Sequence, residues 1–430
     1  MLGVVGFGFM IVLIVMGVHV GVAMALVGFL GMAAIVGVKG ALGMLQTAPY
    51  STVASYGLSV IVLFVLMGQL AYHAGLSRDL YKAAFTWLGH LPGGLAMSTV
   101  VACMGIGVLC GSTTATTATM GIVALPEMKR FGYESGFAAG TVASAATLGT
   151  MVPPSVLLML YALLCSLSIG KAFAAVLIPG MSLLVLYCFT AFFVVLRNPA
   201  LGPRGPKSSW KERFVALYYV KDIVFLACLV IGGMMTGFFT VNEGGAVGVA
   251  GALIVAASRG TLNLKMLKQA LLDAGRTSAM IFMIITGAMV FGYFLAISRL
   301  PGDLAQFFGN LPLHRNIVLI GMIALYIVLG ALMDELAMLM LTVPIFFPVI
   351  KVLGVDPYWF GVIVVLVMAT GMICPPVGMN CFIVAGIDKS IPITQIYKGV
   401  WPYFMAIVCM VALMFFFPGL ALWLPSMLIQ

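Results

Sequence analysis

Apolar residues run along this chain in blocks of about 20, the length a helix needs to cross the roughly 30 Å hydrocarbon core of a bilayer. Uninterrupted blocks fall at about 2–17, 19–38, 55–75, 172–196, 218–239, 242–258, 277–297 and 402–425. Each predicts a membrane-spanning helix. Four further apolar stretches, 92–128, 134–166, 313–350 and 357–387, are interrupted by Gly, Pro, hydroxyl or acidic residues. The segment 261–275 is amphipathic and too polar to span, which predicts a helix lying in the membrane interface. The segment 39–53 is similarly mixed. The most polar stretch, Arg197 to Arg213, carries three Pro and five basic residues and divides the chain nearly in half.

The two halves repeat. Shifted by 222 positions, Pro126 meets Pro348, Gly132 meets Gly354 and Glu134 meets Asp356. Phe137 meets Trp359, Gly149 meets Gly371, Pro153-Pro154 meets Pro375-Pro376, and Ser168-Ile169 meets Ser390-Ile391. With a two-residue slip, Gly89-His90-Leu91-Pro92 meets Gly309-Asn310-Leu311-Pro312. Matches that include both Pro-Pro pairs in register predict an internal duplication. The expected units are a first repeat over 1–200, a cytoplasmic linker over 201–217, and a second repeat over 218–430.

Basic residues fix the orientation, because cytoplasmic loops carry an excess of Lys and Arg. With the N-terminus outside and the stretches 92–128 and 313–350 each entering and leaving by one face, all but five of the 21 Lys and Arg fall on the cytoplasmic side. The five are Lys39, Lys171, Arg299, Arg315 and Lys351. Reading the two stretches as complete spans would move Lys129, Arg130 and the basic linker outside. Each half therefore reads as five spans plus one re-entrant hairpin. The first half starts outside and the second inside, so the repeats are inverted, a plan common among secondary transporters.

Composition agrees. Of 430 residues, 63% are apolar and 8% charged, against about 25% charged in soluble domains. So thin a polar skin excludes a soluble globular protein, a disordered chain and a nucleic-acid-binding domain. The net charge of +9 is the cytoplasmic surplus. The eight Cys lie inside apolar runs without a CxxC pair, as small buried hydrophobes do. The N-terminus lacks a basic n-region and reads as a retained first span, not a cleaved signal peptide. His19, His73, His90 and His314 lie near span ends with no metal-ligand spacing.

Candidate chemistry sits where helices break inside the membrane. Irregular backbone is tolerated there only where protein or a water-filled cavity satisfies it. The first hairpin tip, 111–119, holds Ser112, Thr113, Thr114, Thr116, Thr117 and Thr119. N–H groups opening the outgoing half-helix attract anions, while hydroxyls and carbonyls can ligate a hard cation. The competing reading is helix packing, with hydroxyls bonded back to the preceding turn. The second tip, 330–335, holds Gly330, Asp334 and Glu335, the two acids at the midpoint of an apolar stretch. Asp334 reads as a helix cap, a cation ligand, or both.

The broken spans carry Gly149, Thr150, Pro153, Pro154 in one half and Gly371, Cys374, Pro375, Asn380 in the other. Proline removes N–H donors and frees carbonyls one turn earlier. Matching breaks in inverted halves point to a cation site at the bilayer midplane. Candidate substrate contacts are thus Ser112, Thr113, Thr114, Thr116, Pro153, Pro154 and Asn380. Candidate sodium ligands are Ser112, Gly149, Thr150, Gly330, Asp334, Gly371, Cys374 and Pro375. No HExxH occurs, and 168–172 lacks the first Gly and the final Ser/Thr of a phosphate loop. Uphill transport would therefore draw on an ion gradient or another chain, and no enzymatic activity or cofactor is expected.

The ordered set Gly111-Ser112-Thr113-Thr114-Ala115-Thr116, Leu125-Pro126-Glu127-Met128, Gly132-Tyr133, Gly149 with Pro153-Pro154-Ser155, Ile169-Gly170, Gly330 with Met333-Asp334, Leu353-Gly354-Val355-Asp356-Pro357, Phe360-Gly361 and Pro375-Pro376-Val377-Gly378 resembles the large membrane subunit of tripartite ATP-independent periplasmic (TRAP) transporters. The resemblance runs over essentially the whole chain. It implies sodium-coupled import of an organic anion such as a dicarboxylate or sialic acid, with sodium as the coupling ion. It also implies an elevator-type fold in the bacterial inner membrane, with a scaffold and a transport domain built from the hairpins and broken helices. The implied partners are a soluble periplasmic binding protein and a small four-span membrane subunit, expected as a separate chain. The Thr-rich first tip departs from the Ser/Ala-rich tips of the family. The alternatives are a stand-alone sodium/dicarboxylate symporter, which would transport without partners, and a non-transporting scaffold subunit, which would show no sodium-dependent uptake.

Overall fold

A computed structural model of the protein describes residues 2–310, 314–331 and 333–428. Its elements are all helical among the described residues. In order they are α1 (Leu2–Val15), α2 (Val20–Val36), α3 (Val38–Val53), α4 (Tyr56–His73), α5 (Leu76–Leu88), α6 (Gly94–Cys110), α7 (Thr113–Arg130), α8 (Ser135–Ala145), a tight turn of helix at Ala146–Thr150, α9 (Val156–Leu164) and α10 (Ile169–Arg197). A one-turn helix at Pro199–Leu201 leads to α11 (Trp210–Ala227), which runs through a widened turn into α12 (Gly233–Met235). Then come α13 (Val241–Ser258), α14 (Leu264–Ile297), α15 (Leu300–Asn310), α16 (Arg315–Gly330), α17 (Glu335–Val352), α18 (Pro357–Gly371), α19 (Met379–Ile387), α20 (Ile393–Phe416) and α21 (Gly419–Leu428).

Among the described residues seven helices are long and apolar enough to cross a membrane, and five shorter apolar helices accompany them. The chain is a multi-pass membrane protein. The broken stretches resolve as helix pairs: α6 with α7, α8 with α9, α16 with α17, and α18 with α19. Two differences from the sequence reading have simple causes. The segment 261–275 is no separate interfacial helix. From Leu264 on it forms the opening turns of α14, 34 residues long, because this stretch holds no proline and its three glycines, Gly275, Gly287 and Gly292, are tolerated. The apolar block 402–425 is divided, because Phe417-Pro418 ends α20 and a new helix begins at Gly419. Beyond this, α11 starts inside the expected linker, at Trp210, capped by Ser209 and Glu212 in a reciprocal pair. The repeat match at Leu311-Pro312 lies outside the described residues.

Elements recur at the spacing read from the sequence. α7 and α17 are both 18 residues long, and their first residues, Thr113 and Glu335, are 222 apart. Each contains its matched proline, Pro126 or Pro348. Glu134 caps α8 by accepting the N–H groups of Gly136 and Phe137. Asp356 caps α18 through Tyr358 and Trp359 in the same way.

Two glycine-lined crossings set the bundle. A Cβ on Gly287 of α14 would fall 2.0 Å from the Gly21 carbonyl oxygen of α2, and one on Gly399 of α20 would fall 2.0 Å from that of Gly136 in α8. Backbones this close recover by contact what burial of apolar surface cannot supply between helices in lipid.

Candidate functional site

The two tips meet across one cavity. α6 ends at Cys110, and Gly111 turns the chain with φ of 59°. That left-handed backbone favours glycine, and space requires it as well: a Cβ here would lie 2.2 Å from the Pro154 carbonyl oxygen. Ser112 then caps α7, accepting the Ala115 N–H, and its Oγ lies 3.2 Å from Thr114 Oγ1. In the other half α16 ends at Gly330, and Asp334 Oδ2 caps α17 by accepting the Leu336 N–H at 3.0 Å. Ser112 and Asp334 occupy the same position at the two tips. One cap is a hydroxyl and the other a carboxyl group.

Behind the tips the contacts are dry. Thr113 is fully buried and donates its hydroxyl to Glu335 Oε2 at 3.0 Å. It also sits 3.3 Å from Thr150 Oγ1. Thr116 donates to the Ser112 carbonyl at 2.8 Å. A Cβ on Gly149 would lie 2.7 Å from Thr116 Oγ1 and 3.1 Å from that carbonyl, so the break packs directly on the tip. The other half uses the same device: a Cβ on Gly371 would fall 2.5 Å from Gly330 Cα. Both Pro153-Pro154 and Pro375-Pro376 bonds are cis.

A cavity of about 430 Å³ opens in front, a size suited to a small solute. Ser112, Thr114, Asp334 and Glu335 line it from the tips, and Val156 and Leu157 from α9. Gln69 of α4 and Asp273, Arg276 and Thr277 of α14 form a further wall. Hydroxyl, carbonyl and carboxylate oxygens at the tips are donors for a hard cation. The N-terminus of α7, capped by a neutral serine, keeps its positive end for an anion.

The structure thus brings Ser112, Thr114 and Asp334 to the cavity. Thr113, Thr116, Gly149, Thr150, Pro153 and Pro154 are buried behind the first tip, and Gly330 with Gly371 behind the second. Cys374, Pro375 and Asn380 lie apart from the cavity lining. Pro375 is exposed, and Tyr397 donates to the Pro376 and Val377 carbonyls beside it. Asn380 is fully buried and donates Nδ2 to the Ala143 carbonyl at 2.9 Å. Its Oδ1 has no partner among the described residues.

Sequence reasoning missed the α14 wall. Reading 261–275 as an interfacial helix and starting the next span at 277 split Asp273 from Thr277 and left Asp273, Arg276 and Thr277 out of the candidate site. The available signal was their spacing of three and four, which gathers them on one face of a helix that continues into an apolar span.

Comparison with known proteins adds family and fold. The family model described as "Tripartite ATP-independent periplasmic transporter, DctM component" matches residues 7–420. A C4-dicarboxylate TRAP transporter large permease protein, DctM, from Pseudomonas aeruginosa is 32% identical over 403 residues, covering 91% of this chain and 94% of its own. A sialic acid TRAP transporter large permease protein, SiaM, from Vibrio cholerae is 30% identical, covering 87% of each. The crystal structure of the Alcanivorax borkumensis YdaH transporter superposes with a TM-score of 0.59 over 91% of both chains at 16% identity, a likeness of fold alone.

Proposed function

Because the chain belongs to the DctM-component family of tripartite ATP-independent periplasmic transporters, as a large membrane permease and not an enzyme, we propose that it imports a small organic anion by sodium symport. A dicarboxylate or a sialic acid is the substrate class, as the names of its relatives suggest. The anion arrives on a soluble periplasmic binding protein, and a small four-span membrane subunit completes the complex in the bacterial inner membrane.

The observation that carries this reading is the convergence of two helix N-termini, one capped by Ser112 and one by Asp334, on a single cavity. Anion and cation need opposite chemistry within a few ångströms. The serine-capped end of α7, with Thr114 beside it, suits a carboxylate. The Asp334-capped end of α17 suits sodium, which gains from charge as well as from oxygen ligands. Gly149 and Gly371 hold the breaks against the backs of the tips, so the breaks fix where the two caps stand. Cation binding that builds the anion site is the coupling.

The recurrence of α7 and its cap in α17 supports an inverted duplication of 1–200 in 218–430 across the linker 201–217. In an elevator mechanism the tips and broken helices move together as the transport domain, while α2, α4 and α14 belong to the scaffold.

Asp334→Asn tests the site. Asparagine caps a helix about as well as aspartate, so the variant folds and inserts. Losing the charge raises the sodium concentration for half-maximal uptake roughly tenfold, the equivalent of about 1.4 kcal/mol. An unchanged sodium dependence at normal expression assigns Asp334 to capping alone.

A further inference from the structure

We propose that Arg276 takes hold of the substrate carboxylate at the mouth of the cavity. This rests on the reading of the chain as an organic-anion permease and names the group that recognises the anion's charge.

Among the described residues Arg276 is the one cationic side chain lining the cavity, whereas Asp273, Asp334 and Glu335 are acidic. An anion entering such a space meets three carboxyl groups. Sodium at the tips offsets part of that repulsion, but a fixed cation is needed to draw the anion in before the site has closed around it. Arg276 stands in the right place. Exposure falls from the α14 wall, where the Arg276 side chain is 79% exposed and Asp273 41%, to the tips, where Glu335 is 4% exposed. The wall is the mouth and the tips are the floor.

The guanidinium also makes no hydrogen bond among the described residues. Its ionic neighbour among the described residues is Asp273, with Nη1 and Oδ1 3.8 Å apart, too far for a hydrogen bond. Asp273 is held elsewhere, its Oδ2 3.1 Å from His73 Nε2. The Asp273 carboxylate is thus turned to His73 of α4, and the arginine's donors make no hydrogen bond among the described residues. Paired guanidinium N–H groups match the two oxygens of a carboxylate, which lysine cannot do. An arginine that merely marked the membrane surface would face lipid headgroups. This one lines the same cavity as Ser112, Thr114 and Asp334. It rides on α14, which is locked to α2 at Gly21 and Gly287. An anion bridging Arg276 to the first tip thus links a scaffold helix to the tips, and favours the arrangement in which the two are close.

The test is titration calorimetry on the purified membrane complex in sodium buffer, with succinate, N-acetylneuraminate and isethionate as probes. For whichever acid the wild type binds, Arg276→Gln weakens affinity roughly tenfold to hundredfold, as loss of a charged hydrogen bond does. Arg276→Lys lies between. Arg276→Cys regains affinity on reaction with aminoethyl methanethiosulfonate, which restores a positive charge, and not with the sulfonatoethyl reagent. Wild type treated identically controls for the native cysteines. Wild-type affinity in Arg276→Gln, or equal effects of the two reagents, overturns the role of Arg276 alone. If the wild type binds none of the acids and shows no sodium-dependent uptake of them, the organic-anion reading fails and this proposal with it.

Discussion

Thr113 donates its hydroxyl to Glu335 Oε2 at 3.0 Å, and the two residues are 222 positions apart, the offset at which α7 and α17 match. Each is the first residue of its helix, directly after the capping residue. The hydrogen bond therefore joins equivalent points of the two halves and ties one tip to the other at the back of the cavity. Its environment is dry: Thr113 is fully buried and Glu335 nearly so.

Cutting that link has a definite cost. Thr113→Val removes the donor and leaves a buried carboxyl without its partner, destabilising by about 1–3 kcal/mol. Thr113→Ser keeps the hydroxyl and stays near wild type. Thermal unfolding of the two purified variants reads the difference. A valine variant as stable as the serine variant shows that Glu335 finds another partner.

Lys129 and Lys351 occupy the same position near the ends of α7 and α17. If the halves are inverted, the two lysines lie on opposite membrane faces. Cysteine at 129 is expected to react with an impermeant thiol reagent only from the cytoplasm, and cysteine at 351 only from the periplasm. Labelling of both from one face removes the inverted repeat.

Much of this architecture was legible in the chain because lipid restricts the choices. Blocks of apolar residues leave only helices, and Gly with Pro-Pro leaves only breaks. Ser112 and Asp334 could be placed at tips because a polar residue mid-stretch needs either a cap or a cavity. What faces what was not legible. Thr113 and Thr114 are neighbours of similar chemistry, yet one points into packed protein and the other lines the cavity. Asn380 reads as a ligand from its place after the break, but its amide reaches across to the Ala143 carbonyl instead. The spacing of Asp273, Arg276 and Thr277 puts them on one helix face, but that this face lines the same cavity as the tips depends on how α14 packs.

A second cross-link between the halves lies at the end of α7. Lys129 pairs with Asp388, and its Nζ also donates to Ser390 Oγ at 3.0 Å. The Lys129 hydrogen bond, helped by Ser390, pushes Asp388 down to about 2. A carboxylate depressed in the folded state stabilises above its ordinary value near 4 and loses that contribution as pH falls through about 2. Asp388→Asn is expected to lower the melting temperature by the same small amount from pH 8 to pH 5, worth at most about 1 kcal/mol for so accessible a pair. The gap between wild type and variant closes only below about pH 4. A gap that changes between pH 5 and 8 shows that the pair titrates in that range.

The most direct test of the account is uptake into ATP-free proteoliposomes containing this permease, its small membrane subunit and the binding protein. The measurement is the initial rate of accumulation of a labelled organic acid under an inward sodium gradient. The account predicts accumulation above the outside concentration that follows the sodium gradient and collapses when a sodium ionophore dissipates it. Accumulation that persists without sodium and follows an imposed proton gradient contradicts it.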